Sequence, residues 1–175
     1  CVQWNSDKTG YEIAFKNATF WSNEDHWKWA TNPNKRERAS FLTENIIPIE
    51  ASGCLKHIPV PDKDILHNTD LGFDVFFANG HTDKQMIPMI SYKGKTICFM
   101  ADLLPTVGHI SVPFVMGYDT RPLLTLDEKK QFLKLAADHN YFLFLEHDAQ
   151  NELITVKHTE KGVRLNAIHK FNTLF

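Results

Sequence analysis

The sequence predicts a layered α/β fold: one mixed sheet at the centre of the chain, with helices flanking it. Three observations carry that prediction. Short β-prone apolar runs recur from Leu55 to Ile168. Helix-opening signals of the Ser/Asn/Thr type stand before and after those runs. The length of 175 residues, 43% of them hydrophobic and 23% charged, suits a single unit spanning 1–175 and is too apolar for a disordered chain.

Each element has a local reason. Cys1 to Gly10 is polar and reads as loop, and Ala18 to Trp21 is short and β-prone. Ser22, with Asp25 three positions on, opens a short helix carrying Trp27, Trp29 and Ala30 that Pro33 closes. Asn34 with Glu37 resembles a capping box for a second helix, with Ala39, Leu42 and Ile46 on one face and its end before Pro48. The mixed charges from Lys35 to Arg38 then form a solvated first turn rather than a nucleic-acid patch. Strands are expected at Leu55–Pro59, Phe73–Ala78, Met86–Tyr92 and Thr96–Ala101, the last two forming a hairpin on Lys93-Gly94-Lys95. Pro88 puts its strand at an edge or a bulge. Leu103 to Leu124 is a long loop whose apolar content favours order, and loops of that length are commonly functional. Thr125 with Glu128 opens a helix to about His139, with Phe132, Leu133 and Ala136 facing inward. A strand at 141–145 and a closing hairpin, Leu153–His158 with Val163–Ile168, complete the chain.

Composition excludes several classes. Lys+Arg is 19 against Asp+Glu 21, a net charge of -2 that argues against a partner bound through its phosphates. No apolar run approaches the roughly 20 residues of a membrane span. Three cysteines, Cys1, Cys54 and Cys98, cannot all pair and fit a reducing, cytoplasmic location; Cys98, mid-strand, reads as buried and inert.

Chemistry concentrates at His81, Asp102 and His147. Each lies just past the carboxyl end of an apolar strand, the edge of a layered α/β sheet where ligands collect. Two imidazoles and a carboxylate at one rim suit a divalent transition metal such as Zn²⁺. Taken singly, each is more often a loop histidine or a turn-forming aspartate than a metal ligand.

These residues carry a resemblance. Gly80-His81-Thr82, a hairpin, Ala101-Asp102 and a strand ending at His147 resemble the carboxyl-terminal half of the metallo-β-lactamase fold, from about Thr19 to Ile168. The stretch Gly117 to Pro122 is similar to a segment of the hydrolase-type members. The resemblance implies half of an αββα sandwich and a metal-dependent hydrolase, with ester or lactone substrates and attack by metal-bound hydroxide. It implies two divalent ions, zinc foremost, held by His81 at one site and His147 at the other, with Asp102 bridging. The family's His-x-His-x-Asp-His motif is missing: of nine histidines, no two are separated by a single residue. With the chain opening at Cys1 rather than Met, the expectation is a fragment whose first half lies upstream, which binds metal weakly or partially and is inactive alone.

Further candidates accompany the three. His109 is a substrate contact or a plain loop histidine. Tyr118, Asp119 and Arg121 line the pocket, or an Asp119–Arg121 pair locks the loop. Glu146 is either a carboxylate orienting a ligand or a solvated side chain. Trp21, Trp27 and Trp29 read as core rather than an aromatic wall. The expected partners are a small-molecule substrate and either a second copy of the chain or the absent amino-terminal half, with neither nucleic acid nor membrane. Two alternatives remain: a diiron redox protein on the same ligands, and a non-catalytic binding or structural protein.

Overall fold

In the computed structural model, in which residues 1–174 are described, the chain divides into two units, Cys1–Val60 and Pro61–Phe175. The first holds a hairpin of β1 (Val2–Trp4) and β2 (Tyr11–Ile13), a parallel pair of β3 (Phe20–Asn23) and β4 (Leu55–Ile58), and helices α1 (Glu24–Thr31) and α2 (Thr43–Ala51). The expected amino-terminal loop is thus a hairpin. Its strands are three residues each, too short to show alternation, and it is held by Trp4 stacked on Tyr11 at 4.3 Å. Asn23, not Ser22, caps α1, its side-chain oxygen accepting from the His26 amide at 2.8 Å. The Asn34–Glu37 signal closes only a turn. The second helix starts instead at Thr43 and runs through Pro48, whose carbonyl still accepts from the Ser52 amide at 3.1 Å.

The second unit is built on a seven-stranded mixed sheet of order β11-β10-β9-β8-β7-β6-β5. In chain order these are β5 (Ile65–Leu66), β6 (Asp74–Ala78), β7 (Gln85–Tyr92), β8 (Lys95–Phe99), β9 (Phe142–Phe144), β10 (Leu153–Thr159) and β11 (Gly162–His169). The β7–β8 turn has Lys93 at φ 46 and Gly94 at φ 75, the left-handed pair that a two-residue hairpin requires. Among the described residues of this sheet only β8 and β9 pair in parallel, so the chain must cross over between them; α3 (Pro122–His139) makes that connection. Proline at its first position costs α3 no hydrogen bond, so the helix begins three residues before Thr125. A short α4 (Phe171–Leu174) follows the sheet.

The two faces of the sheet differ. Phe76, Ile87, Cys98, Leu143 and Ile154 pack with Phe132, Leu133 and Ala136 of α3 in one buried cluster. Phe76 meets Phe132 edge-on at 5.0 Å. The alternate residues Ile90, Tyr92, Ile97, Phe99 and Phe144, with Phe171, line an open apolar depression of about 350 Å³. Period-2 alternation therefore gives β7 and β8 apolar side chains on both faces.

Candidate functional site

Strand direction brings three loops to one rim. β6 and β8 are both antiparallel to β7, and β9 is parallel to β8, so the carboxyl ends of β6, β8 and β9 point the same way. His81, Asp102 and His147 follow those three ends.

The side chains meet. His81 Nε2 stands 3.3 Å from Asp102 Oδ2, and His147 Nε2 stands 3.1 Å from Asp102 Oδ1. Each imidazole thus faces its own oxygen of one carboxylate. His81 and Asp102 are mostly covered, with side-chain exposures of 18% and 23%, while His147 is half exposed at 51%.

Each loop is fixed by its surroundings. Gly80 lies against the first turn of α3, where an added Cβ would come within 2.3 Å of the Thr125 amide nitrogen. Glu128 of α3, itself buried, accepts from the Asn79 amide at 2.8 Å, the Gly80 amide at 2.9 Å and the Asn79 side chain at 3.1 Å. The Arg121 amide donates to the Gly80 carbonyl at 2.8 Å, and the Thr120 amide to the His81 carbonyl at 3.2 Å. Asp102 follows Ala101, whose φ of 42 is left-handed backbone that costs a residue with a Cβ about 1 kcal/mol. That bend turns the chain out of β8. His147 is anchored by its amide donating to the Pro105 carbonyl at 3.2 Å. The neighbouring Asp148 accepts the Val107 amide at 3.0 Å, and this and further amide donors hold its carboxyl below the usual carboxylate range.

The sequence leaves Asp119 either lining the pocket or locking its loop in a pair with Arg121. In the structure Asp119 Oδ1 lies 2.8 Å from His81 Nδ1, with the carboxylate side chain fully buried. Arg121 turns to Asp83 Oδ1 at 2.9 Å and to the Asn79 carbonyl. The loop after β6 carries both His81 and Asp83, and the 119–121 turn sets Asp119 against the first and Arg121 against the second. Seen in sequence, Asp119 lay 38 residues from His81, and no local pattern joined them. The other candidates have surroundings of their own. His109 Nδ1 is 2.8 Å from Thr106 Oγ1; burial, then the charge of Lys129, holds its pKa below the ordinary value against the pull of Asp119. Tyr118 is 75% exposed, and Glu146 is exposed to solvent.

The arrangement fits a divalent cation. With His81 Nδ1–H donating to Asp119, a tautomer assigned from the contact, the Nε2 lone pair faces Asp102 Oδ2 and needs a proton or a cation between them. Asp102 Oδ1 is buried and accepts no hydrogen bond from the described residues. Two donors about 2.1 Å from one ion and about 100° apart stand about 3.2 Å from each other, close to the 3.1 and 3.3 Å seen here. Each ion would receive one imidazole and one carboxylate oxygen from this chain. Among the described residues, no group of three His, Cys, Asp or Glu is arranged to hold a metal by itself.

No protein-family model matches this chain, and no curated protein does. Solved structures do match. A probable metal-dependent hydrolase from Staphylococcus aureus aligns with a TM-score of 0.74 at 21% identity, over 90% of this chain and 53% of that one. The hydrolase AbOPH, of the beta lactamase superfamily, aligns with a TM-score of 0.69 at 20% identity, over 88% of this chain and 56% of that one. AidC, a dizinc quorum-quenching lactonase, aligns with a TM-score of 0.66 at 20% identity, over 91% of this chain and 57% of that one. The chain thus spans about half the length of the structures it matches, and it shares their fold. Among the described residues, no helix is long and apolar enough to cross a membrane.

Proposed function

From the metallo-β-lactamase fold that this chain carries, we propose that it supplies His81, Asp102 and His147 as ligands to the metal centre of a hydrolase acting on small-molecule esters or lactones. One observation carries the proposal: three strand ends pointing one way deliver one carboxylate and two imidazoles, each Nε2 facing a different carboxylate oxygen. The likeness to a dizinc lactonase supports the choice of zinc and of substrate class.

The chain's own residues do the positioning. Asp119 holds His81 in the tautomer that turns the Nε2 lone pair toward Asp102, the role a buried carboxylate commonly plays behind a ligating histidine. Glu128 and Arg121 fix the segment before His81 from both sides. The left-handed bend at Ala101 turns Asp102 out of its strand, and the Pro105 carbonyl anchors the backbone of His147. When bound, paired divalent ions lower the pKa of water toward neutrality and polarise the scissile carbonyl. His109, Tyr118 and Arg121 are assigned to the substrate side, Arg121 through the loop it braces rather than by contact.

Two ligands per ion fall short of the three or more protein ligands that zinc usually keeps. The proposal therefore places the remaining ligands outside these 175 residues and makes this chain inactive alone. Three unpaired cysteines accord with a reducing, cytoplasmic setting. The test is zinc titration of the purified chain against a chromophoric chelator. Weak binding, abolished by Asp102→Asn and reduced by His81→Ala or His147→Ala, is expected. Two ions per chain surviving dialysis would overturn the incomplete-site reading, and binding indifferent to all three substitutions would overturn the ligand assignment.

A further inference from the structure

A groove with no residue in common with the His81–Asp102–His147 cluster lies between α3, the 111–113 loop and the β10–β11 hairpin. Its volume is about 610 Å³, within the range of roughly 300–1,000 Å³ typical of small-ligand pockets. The lining is mainly apolar, with Leu133 (1% exposed), Val112, Pro113 and Val163. Around that floor stand Lys130, Lys134, Lys161 and Arg164, with Asp127 as the acid. Four cations to one acid is a local excess on a chain whose net charge is -2.

The cations differ in commitment. Lys134 and His158 both engage Asp138, at 2.6 Å each, so Lys134 already has its counter-ion. Lys130 and Lys161 have no ion-pair partner among the described residues. Arg164 spends one of its five donors on the Val163 carbonyl at 2.7 Å, which pins the guanidinium at the groove edge. A guanidinium fixed beside an apolar floor, with two uncommitted ammonium groups near it, matches a ligand with an apolar body and one carboxylate. A nucleic-acid strand fits poorly, because the lining holds no Phe, Tyr or Trp on which bases could stack.

We propose that this groove binds a small amphipathic carboxylate, its hydrocarbon on Leu133, Val112 and Val163 and its charge on Arg164, Lys130 and Lys161. The inference uses none of the candidate metal ligands and stands or falls apart from the hydrolase reading.

The test is an NMR titration of the chain with octanoate, alongside butyrate and octan-1-ol. Shift changes should concentrate at Val112, Leu133 and Val163. Lys130→Glu with Lys161→Glu, both at exposed positions, should weaken octanoate binding about tenfold. Butyrate should bind about tenfold more weakly than octanoate, because it leaves the floor uncovered. Three results would each overturn the proposal: octan-1-ol binding as tightly as octanoate, affinity unchanged by the charge reversals, or shift changes centred on Phe99 and Phe144 of the open sheet face.

Discussion

Replacing Glu128 tests how the fold holds the site. Its carboxylate accepts from the Asn79 and Gly80 amides, at 2.8 and 2.9 Å, and from the Asn79 side chain at 3.1 Å. A hydrogen bond to a charged acceptor contributes about 1.5–3 kcal/mol, and a buried donor left unpaired costs about 1–3 kcal/mol. The Gly80 contact is buried and water cannot readily replace it, whereas the Asn79 contacts are part-buried and water can. Glu128→Ala should therefore cost about 3 kcal/mol, mostly at Gly80. Glu128→Gln should fall between the two, since one amide NH2 then faces backbone N–H donors. Urea unfolding, with midpoint and slope fitted together, measures the loss. The same variant should broaden or shift the His81 imidazole resonances, because α3 no longer grips the loop that carries the ring. A Glu128→Ala protein within about 1 kcal/mol of the parent, with unchanged His81 resonances, would refute the claim that α3 positions the site.

Two further predictions concern the same helix. Gly80→Ala should destabilise the chain by about 2 kcal/mol or more in the same unfolding assay, because the new Cβ meets the Thr125 amide nitrogen, at 2.3 Å, and Thr125 Cα, at 2.6 Å, rather than flexible side-chain ends; a neutral result would show that the two segments can part freely. Lys129, buried with its ammonium donating to the Ser111 and Phe114 carbonyls, has its pKa pushed by burial from 10.5 down to about 8, against the opposing charge of Asp119. The unfolded chain then keeps this proton up to about pH 10.5 while the folded chain releases it near 8, so this group's contribution to stability rises with pH across that window. The stability difference between the parent and Lys129→Met should move in the parent's favour from pH 7 to pH 10, with the Cys98 thiol cancelling because both proteins carry it. A flat difference would refute the burial of a charged Lys129.

The sequence by itself determined the central strands, the crossover helix and the order of His81, Asp102 and His147. Those features are written locally: the apolar runs at 75–78 and 97–99, the Lys93-Gly94 turn, and polar residues just past apolar strands. Boundaries slipped where a signal had two readings. Asn34 with Glu37 serves a turn as well as a helix start, and Pro122 can begin a helix at no cost, so Thr125 was free to pack on Gly80 instead of capping. Only the tertiary structure decided that Asp119 serves His81 and that Glu128 grips the Asn79-Gly80 segment, because those partners are 38 and 48 residues apart. Such pairs are chosen by strand direction and by the packing of α3 on the sheet. A carboxylate's partner is set by which charges the folded backbone brings within about 3 Å, and distance along the chain carries no trace of it.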